Sequence, residues 1–172
     1  TFRWQRHIPQ LMIVITGAAG FIGSCMAAHL IEIGKGPLVL VDDFSHSEKL
    51  PNLANKSCDR IERNDLFNWL ARKEDLIESV IHLGARTDTA EQDWQIFEEL
   101  NLNYSQRLWE WCCQAKVPML YASSAATYGD GNLGFQDNPD LISDLKPLNP
   151  YGRSKQLFDC WAMEQVEQPP FW

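Results

Sequence analysis

Residues 12–24 read Met-Ile-Val-Ile-Thr-Gly-Ala-Ala-Gly-Phe-Ile-Gly-Ser, and this stretch decides the fold. The β-branched run Ile13, Val14, Ile15 and Thr16 predicts a buried strand. Glycines follow at 17, 20 and 23, and a helical pattern then sets Phe21, Ile22, Met26, Ala27, Leu30 and Ile31 along one side. Each glycine has a physical task. Gly17 permits the tight turn off the strand, Gly20 lets a pyrophosphate approach the backbone, and Gly23 lets the helix pack close to the strand. The first helical turn leaves N–H groups without partners, and its dipole favours an anion. Three glycines in a turn carry little information alone. Set between a buried strand and a helix, they point to dinucleotide binding.

Outward from this stretch the chain alternates. Leu38 to Val41 is a second strand ending in Asp42-Asp43, where an acidic residue accepts hydrogen bonds from an adenosine ribose. Asp42 is the candidate. Its charge repels a 2′-phosphate and favours NAD, whereas Lys49 and Arg63 can neutralise one, so these residues leave the choice open. A short third strand is expected within Lys56–Glu62, then a helix over Asp65–Arg72 with Leu66, Trp69 and Leu70 on one face. A fourth strand spans Ser79–Leu83, and a long helix spans Glu91–Ala115, its stripe of Phe97, Leu100, Tyr104, Leu108 and Trp111 forming core. Val117–Ser123 is a fifth strand, Gly129–Asp144 a loop, and Tyr151 to about Gln168 a last helix, ended by Pro169-Pro170. This alternation predicts an α/β fold, a doubly wound parallel (Rossmann) sheet. Ligands of such sheets bind beyond the carboxyl ends of the strands, where Gly17, Asp42, Gly84 and Ser123-Ser124 all fall.

The 172 residues are 45% apolar, enough for one packed domain. Fifteen basic against 23 acidic side chains, a net charge of −8, argue against a nucleic-acid or anionic-membrane partner. Five cysteines (25, 58, 112, 113 and 160) include no Cys-x-x-Cys and no Cys/His cluster, so neither a disulfide framework nor a metal site is expected. Reduced, buried thiols fit a cytoplasmic protein. No apolar run approaches a membrane span, and residues 1–10 lack the apolar core of a signal peptide. Residues 1–11 read as a patternless leader before a domain running from Met12 to Trp172.

Two stretches carry chemistry: Tyr-Ala-Ser-Ser-Ala-Ala-Thr-Tyr-Gly at 121–129 and Pro-Tyr-Gly-Arg-Ser-Lys at 150–155. Tyr151 and Lys155 are four apart and share a helix face. A phenol with a pKa near about 10 is a poor base at neutral pH, and a neighbouring ammonium lowers it. Lys155 supplies that charge and can hold a nicotinamide ribose. Ser124 can hydrogen-bond the substrate oxygen whose proton Tyr151 takes. The three suit alcohol–ketone chemistry. His82 reads as a packed, hydrogen-bonded histidine. Tyr128 has no lysine at helical spacing and reads as lining the pocket.

These residues resemble the extended short-chain dehydrogenase/reductase superfamily, NAD-dependent epimerase/dehydratase branch. They carry its Thr-Gly-x-x-Gly-x-x-Gly, its serine strand end and its Tyr-x-x-x-Lys. Within it, Tyr121–Gly129, Lys146–Lys155 with Leu157-Phe158-Asp159, and His82–Ala85 with Thr87-Asp88-Thr89 look closest to the ADP-glyceromanno-heptose 6-epimerases. The similarity covers Met12 to about Glu164. It implies that Phe21 and Ile22 follow the phosphate turn and that Asp42 and Asp43 stand at the ribose. It places Lys49, with Arg63 where a second lysine stands, near an NADP 2′-phosphate. Leu83, Gly84, Ala85, Arg86 and Thr87 would line the cofactor, with Asn101 on the following helix. Ser124, Tyr151 and Lys155 match the catalytic trio, the last two also touching cofactor. The cofactor implied is NADP, with NAD possible. The substrate implied is a nucleotide sugar, ADP-heptose, epimerised by transient oxidation for lipopolysaccharide core assembly. Homo-oligomers are implied for the full-length protein.

Leu83 and Arg86 depart from residues usually acidic and small. Such enzymes continue into a sixth strand, a substrate domain and a second catalytic lysine, so these 172 residues read as an amino-terminal portion whose activity alone is in doubt. Two other readings stand beside this one: another nucleotide-sugar epimerase, such as a hexose 4-epimerase, and a non-catalytic dinucleotide-binding remnant. A dehydratase is disfavoured, because Ala125-Ala126 occupy the place of an Asp-Glu pair.

Overall fold

The computed structural model describes residues 10–170, so the leader expected over 1–11 falls, save Gln10 and Leu11, outside the described residues. The chain divides into two compact units, residues 1–80 and 81–172. In the first, β1 (Met12–Thr16), β2 (Leu38–Asp42) and β3 (Asp59–Glu62) pair in parallel, with Val14 opposite Val39 and Val41 opposite Ile61. β4 (Ile77–His82) carries the chain into the second unit, which adds β5 (Met119–Tyr121). The strand order is β3-β2-β1-β4-β5, that of the doubly wound dinucleotide-binding fold. Val14, Ile15, Val39, Leu40 and Val80 are wholly buried, as an unbroken β-branched run requires when both faces of a sheet are covered. β3 lies at an edge and is polar, which blunts that edge.

Helix α1 (Phe21–Glu32) begins and ends close to expectation, but its inward face does not. Phe21 is 80% and Ile22 65% exposed, and Ile31 is exposed too, while Gly23, Ser24 and Ala27 are buried. A Cβ built on Gly23 would lie 2.2 Å from the carbonyl oxygen of Gly17. At that separation only small residues fit beneath the helix, so the large ones turn outward. Helix α2 (Leu66–Leu70) buries Leu66 and Leu70 fully and Trp69 partly.

In the second unit the long helix starts at Trp94, three residues later than expected, because Asp93 caps it by accepting from Gln95 N at 3.0 Å. It runs as α3 (Trp94–Phe97), a π-helical stretch (Glu98–Asn103) and α4 (Tyr104–Ala115). The buried row is Phe97, Asn101, Ser105, Leu108 and Cys112. Leu100, Tyr104 and Trp111 of the expected stripe are only partly buried, one row over. Within the expected loop, Pro139–Asp144 forms a 3₁₀ turn. α5 (Pro150–Glu164) opens with Asn149 as cap and Pro150 in the first turn, where a missing N–H costs nothing. It ends at Glu164, short of the expected Gln168, and the carbonyl of Glu167 accepts from Trp109 Nε1 at 3.3 Å. A tertiary contact outbids helix continuation there. Among the described residues no helix is long and apolar enough to cross a membrane.

Gly23→Ala forces a methyl group into the backbone of Gly17 and should destabilise the chain by about 1–3 kcal/mol. A urea titration would show a lower midpoint at unchanged slope.

Candidate active site

The glycine turn of the first unit is braced at one peptide. Ala19 N donates to Asp42 Oδ2 at 2.8 Å, and Ala19 O accepts from Asn52 Nδ2 at 2.9 Å. Gly17 holds φ +67°, a left-handed conformation that favours glycine, and Gly20 N returns to Gly17 O at 3.1 Å. No side chain caps α1, and its first turn has no acidic residue. Its leading N–H groups therefore keep their positive end open. These open N–H groups suit a phosphate. Phe21 and Ile22 flank them, exposed.

Asp42 is more occupied than the sequence indicates. Its Oδ1 accepts from Asp43 N at 2.8 Å, so both oxygens already take a backbone N–H. Each keeps a further lone pair for a ribose hydroxyl. Asp43 is held below the usual carboxylate range chiefly by the Ser45 hydroxyl and N–H, and then by Arg63 and His46. Arg63 Nη2 stands 3.5 Å from its Oδ2. Lys49 sits, partly buried, on the 3₁₀ turn Ser47–Leu53 that also carries Asn52.

In the second unit a buried polar chain runs from β4 to α5. His82 is 1% exposed, and its Nε2 lies 2.9 Å from Ser105 Oγ. Ser105 donates its only proton to Asn101 O at 2.5 Å, so it accepts from a neutral His82 carrying hydrogen on Nε2. Burial, with Lys155 adding to it, lowers the pKa of His82 to about 3. The expectation of a packed, hydrogen-bonded histidine holds. Asn101 clamps the loop after β4: Oδ1 accepts from Arg86 N at 2.7 Å, and Nδ2 donates to Arg86 O at 3.0 Å and Ser154 Oγ at 2.9 Å. Ser154 in turn donates to Tyr151 O at 2.7 Å. Leu83, Gly84, Ala85 and Arg86 are partly buried and Thr87 is exposed, while the Arg86 guanidinium pairs with Asp88 at 3.1 Å.

The candidate trio stands at the end of β5 and the start of α5. Ser124 Oγ accepts from Ala126 N at 3.2 Å, which leaves its own proton to donate. Tyr151 is in the first turn of α5, and Lys155 is one turn on. Lys155 is 3% exposed, with Nζ donating to Ala122 O at 2.9 Å and lying 4.5 Å from the centre of the Tyr121 ring. Burial lowers its pKa to about 8, against an upward pull from Asp159. Ser123 donates to Asp159 Oδ2 at 2.5 Å. The buried Tyr121 hydroxyl has no hydrogen-bond partner among the described residues. Tyr128 lines an open cavity with Ser123, Ser124 and Asp159, in keeping with its expected place, and its hydroxyl donates to Asp137. Sequence reasoning missed Asn52, Ser105 and Ser154, and the bond that joins Ser123 to Asp159. Only Asp159 carries a local signal, a third polar residue at four-residue spacing after Tyr151 and Lys155.

A profile of the NAD dependent epimerase/dehydratase family matches residues 13–168. The ADP-L-glycero-D-manno-heptose-6-epimerase of Fusobacterium nucleatum is 42% identical over 166 residues, 94% of this chain and 50% of that protein. The enzyme of the same name from Nitratidesulfovibrio vulgaris is 45% identical over 157 residues, 90% of this chain and 49% of that protein. The chain thus spans about half the length of the curated relatives it matches. Among solved structures, the Helicobacter pylori ADP-L-glycero-D-manno-heptose-6-epimerase superposes with a TM-score of 0.73 at 29% identity, covering 90% of this chain and 51% of that one. The UDP-glucuronic acid 4-epimerase of Bacillus cereus, in complex with NAD, gives 0.73 at 27% identity, covering 94% and 55%.

His82 makes stability pH-dependent. Its folded pKa of about 3 lies below the ordinary 6.5, so the unfolded chain takes the proton first. The stabilisation is complete above the ordinary value and is lost as pH falls toward the folded one. His82→Gln keeps an N–H for Ser105 and removes this titration. Across that window its unfolding free energy should fall less steeply than wild type, by up to about 1.4 kcal/mol per pH unit. Parallel curves from denaturant titrations would refute the assignment.

Proposed function

The chain belongs to the NAD dependent epimerase/dehydratase family, and we propose that the full-length protein is an NADP-dependent 6-epimerase of an ADP-linked heptose. The observation that carries the reaction type is a buried ammonium, Lys155, one helical turn from Tyr151. Tyr151 Oη takes the proton of a substrate carbinol and later returns it. Lys155 stabilises the phenolate formed between those events. Ser124 donates its free proton to the carbinol oxygen and holds it in place. The nicotinamide cofactor, when bound, supplies hydride acceptance and return, so that return to the opposite face inverts the centre. The turn at Gly17, Gly20 and Gly23 holds the pyrophosphate, and Asp42 offers its remaining lone pairs to the adenosine ribose. The sugar is assigned from the names of the relatives at 42% and 45% identity.

For NADP, the supporting features are charges. Both oxygens of Asp42 are already engaged by N–H donors, and Arg63 lies beside Asp43 on the same unit as Lys49. Two cations near the ribose offset the repulsion a 2′-phosphate would meet from the paired aspartates.

Tyr151→Phe in the full-length protein should cut epimerisation by about 10²–10⁴-fold while bound nucleotide is retained. Undiminished turnover would overturn the mechanism. Denaturing the purified protein should release NADP, and Arg63→Ala should weaken NADP⁺ binding more than NAD⁺ binding. Release of NAD, with both affinities equally affected, would overturn the cofactor assignment.

A further inference from the structure

Two neighbouring residues at the end of β5 are gripped by one face of α5. Lys155 Nζ donates to Ala122 O at 2.9 Å, and one turn further along the helix Asp159 Oδ2 accepts from Ser123 Oγ at 2.5 Å. The residue after this double grip is Ser124. We propose that Asp159, by clasping Ser123 next to the carbonyl that Lys155 bonds, is a positioning residue for Lys155: it fixes the segment that carries that carbonyl and leads into Ser124. This rests on the reading of Lys155 as the partner of Tyr151, but it makes a claim about Asp159 that can fail separately.

The groups facing Lys155 come from three elements. His82 approaches from β4, and its low pKa of about 3 keeps it neutral near physiological pH. Tyr121 offers its ring from β5, and burial raises its phenol well above the ordinary value, so it too is uncharged. Asp159, from α5 itself, is the charged neighbour, and its interaction with Lys155 favours the ammonium against the desolvation that opposes it. Burial raises Asp159 as well, and the Ser123 hydroxyl and Lys155 act against that rise. Each ion thus opposes the neutralisation that burial favours in the other.

The test is an NMR titration of the Lys155 side-chain amine in the cofactor-free full-length protein, with wild type, Asp159→Asn, Asp159→Glu and Ser123→Ala compared. Asp159→Asn keeps an oxygen for the Ser123 hydroxyl and loses the charge. Its Lys155 midpoint should move to lower pH than the wild-type value of about 8, and Asp159→Glu should restore it. Ser123→Ala loosens the clasp and should move the midpoint the same way by a smaller amount. In activity assays the alkaline limb of the kcat profile should follow the midpoint downward in Asp159→Asn. An unchanged midpoint in Asp159→Asn, or in Ser123→Ala should the first variant not fold, would overturn the proposal. That outcome would leave the epimerase reading to the Tyr151→Phe measurement, which does not depend on Asp159.

Discussion

An ammonium group taken out of water must find acceptors for its hydrogens and a counter-charge, or it gives up its proton. Lys155 places that demand at the centre of the second unit, and much of the local geometry answers it. The Ala122 carbonyl takes a hydrogen bond, the Tyr121 ring presents its negative face, and Asp159 brings charge. Each partner lies on, or is bonded to, the end of β5, so satisfying the lysine fixes α5 against that strand. The turn after β5 is held as closely. A Cβ on Gly152 would lie 2.6 Å from Ala126 O, and Asn149 Oδ1 accepts from Gly152 N at 2.8 Å. The helix start that bears Tyr151 and the turn that bears Ser124 are thereby set by backbone contact and not by loop chance.

The same accounting governs the first unit. Ala19 is wholly buried, so both polar groups of its peptide need partners inside the protein. Asp42 takes the N–H and Asn52 the carbonyl. The turn is thereby held from both sides of one peptide. The free donors stay at the end of α1, where an anion is favoured. Asp42 therefore serves the turn first, with both oxygens on backbone N–H groups.

The parts legible in the sequence were those with a local signature. The strand runs, the glycine spacing and the Tyr-x-x-x-Lys interval depend on chain geometry within a few residues, and the structure places them as read. Burial decided by distant partners was not legible. The outward turn of Phe21 and Ile22 follows from a backbone contact between Gly23 and Gly17, which hydrophobic patterning opposes. The inward row of the 94–115 helix contains Asn101 and Ser105, which a search for apolar stripes passes over. Their burial is tolerable because Arg86, Ser154 and His82 complete their hydrogen bonds. The family resemblance singled out Asn101, but its clamping of the loop after β4 has no signal in sequence. Nor did the end of α5, where Pro169 looked like the stop and the contact between Trp109 and the Glu167 carbonyl acts earlier.

The fold is shared with epimerases of different sugars, so it does not name the substrate. Elimination from a sugar needs an acid placed to protonate a leaving hydroxyl. The two residues after Ser124 are alanines. Carboxylates do line the cavity beside Ser124, but each is engaged: Asp137 accepts from the Tyr128 hydroxyl, and Asp159 accepts from Ser123. Among the described residues, the Tyr128 hydroxyl and the two carboxylates of this cavity are tied into hydrogen bonds, and Ser124 keeps its own proton free to donate.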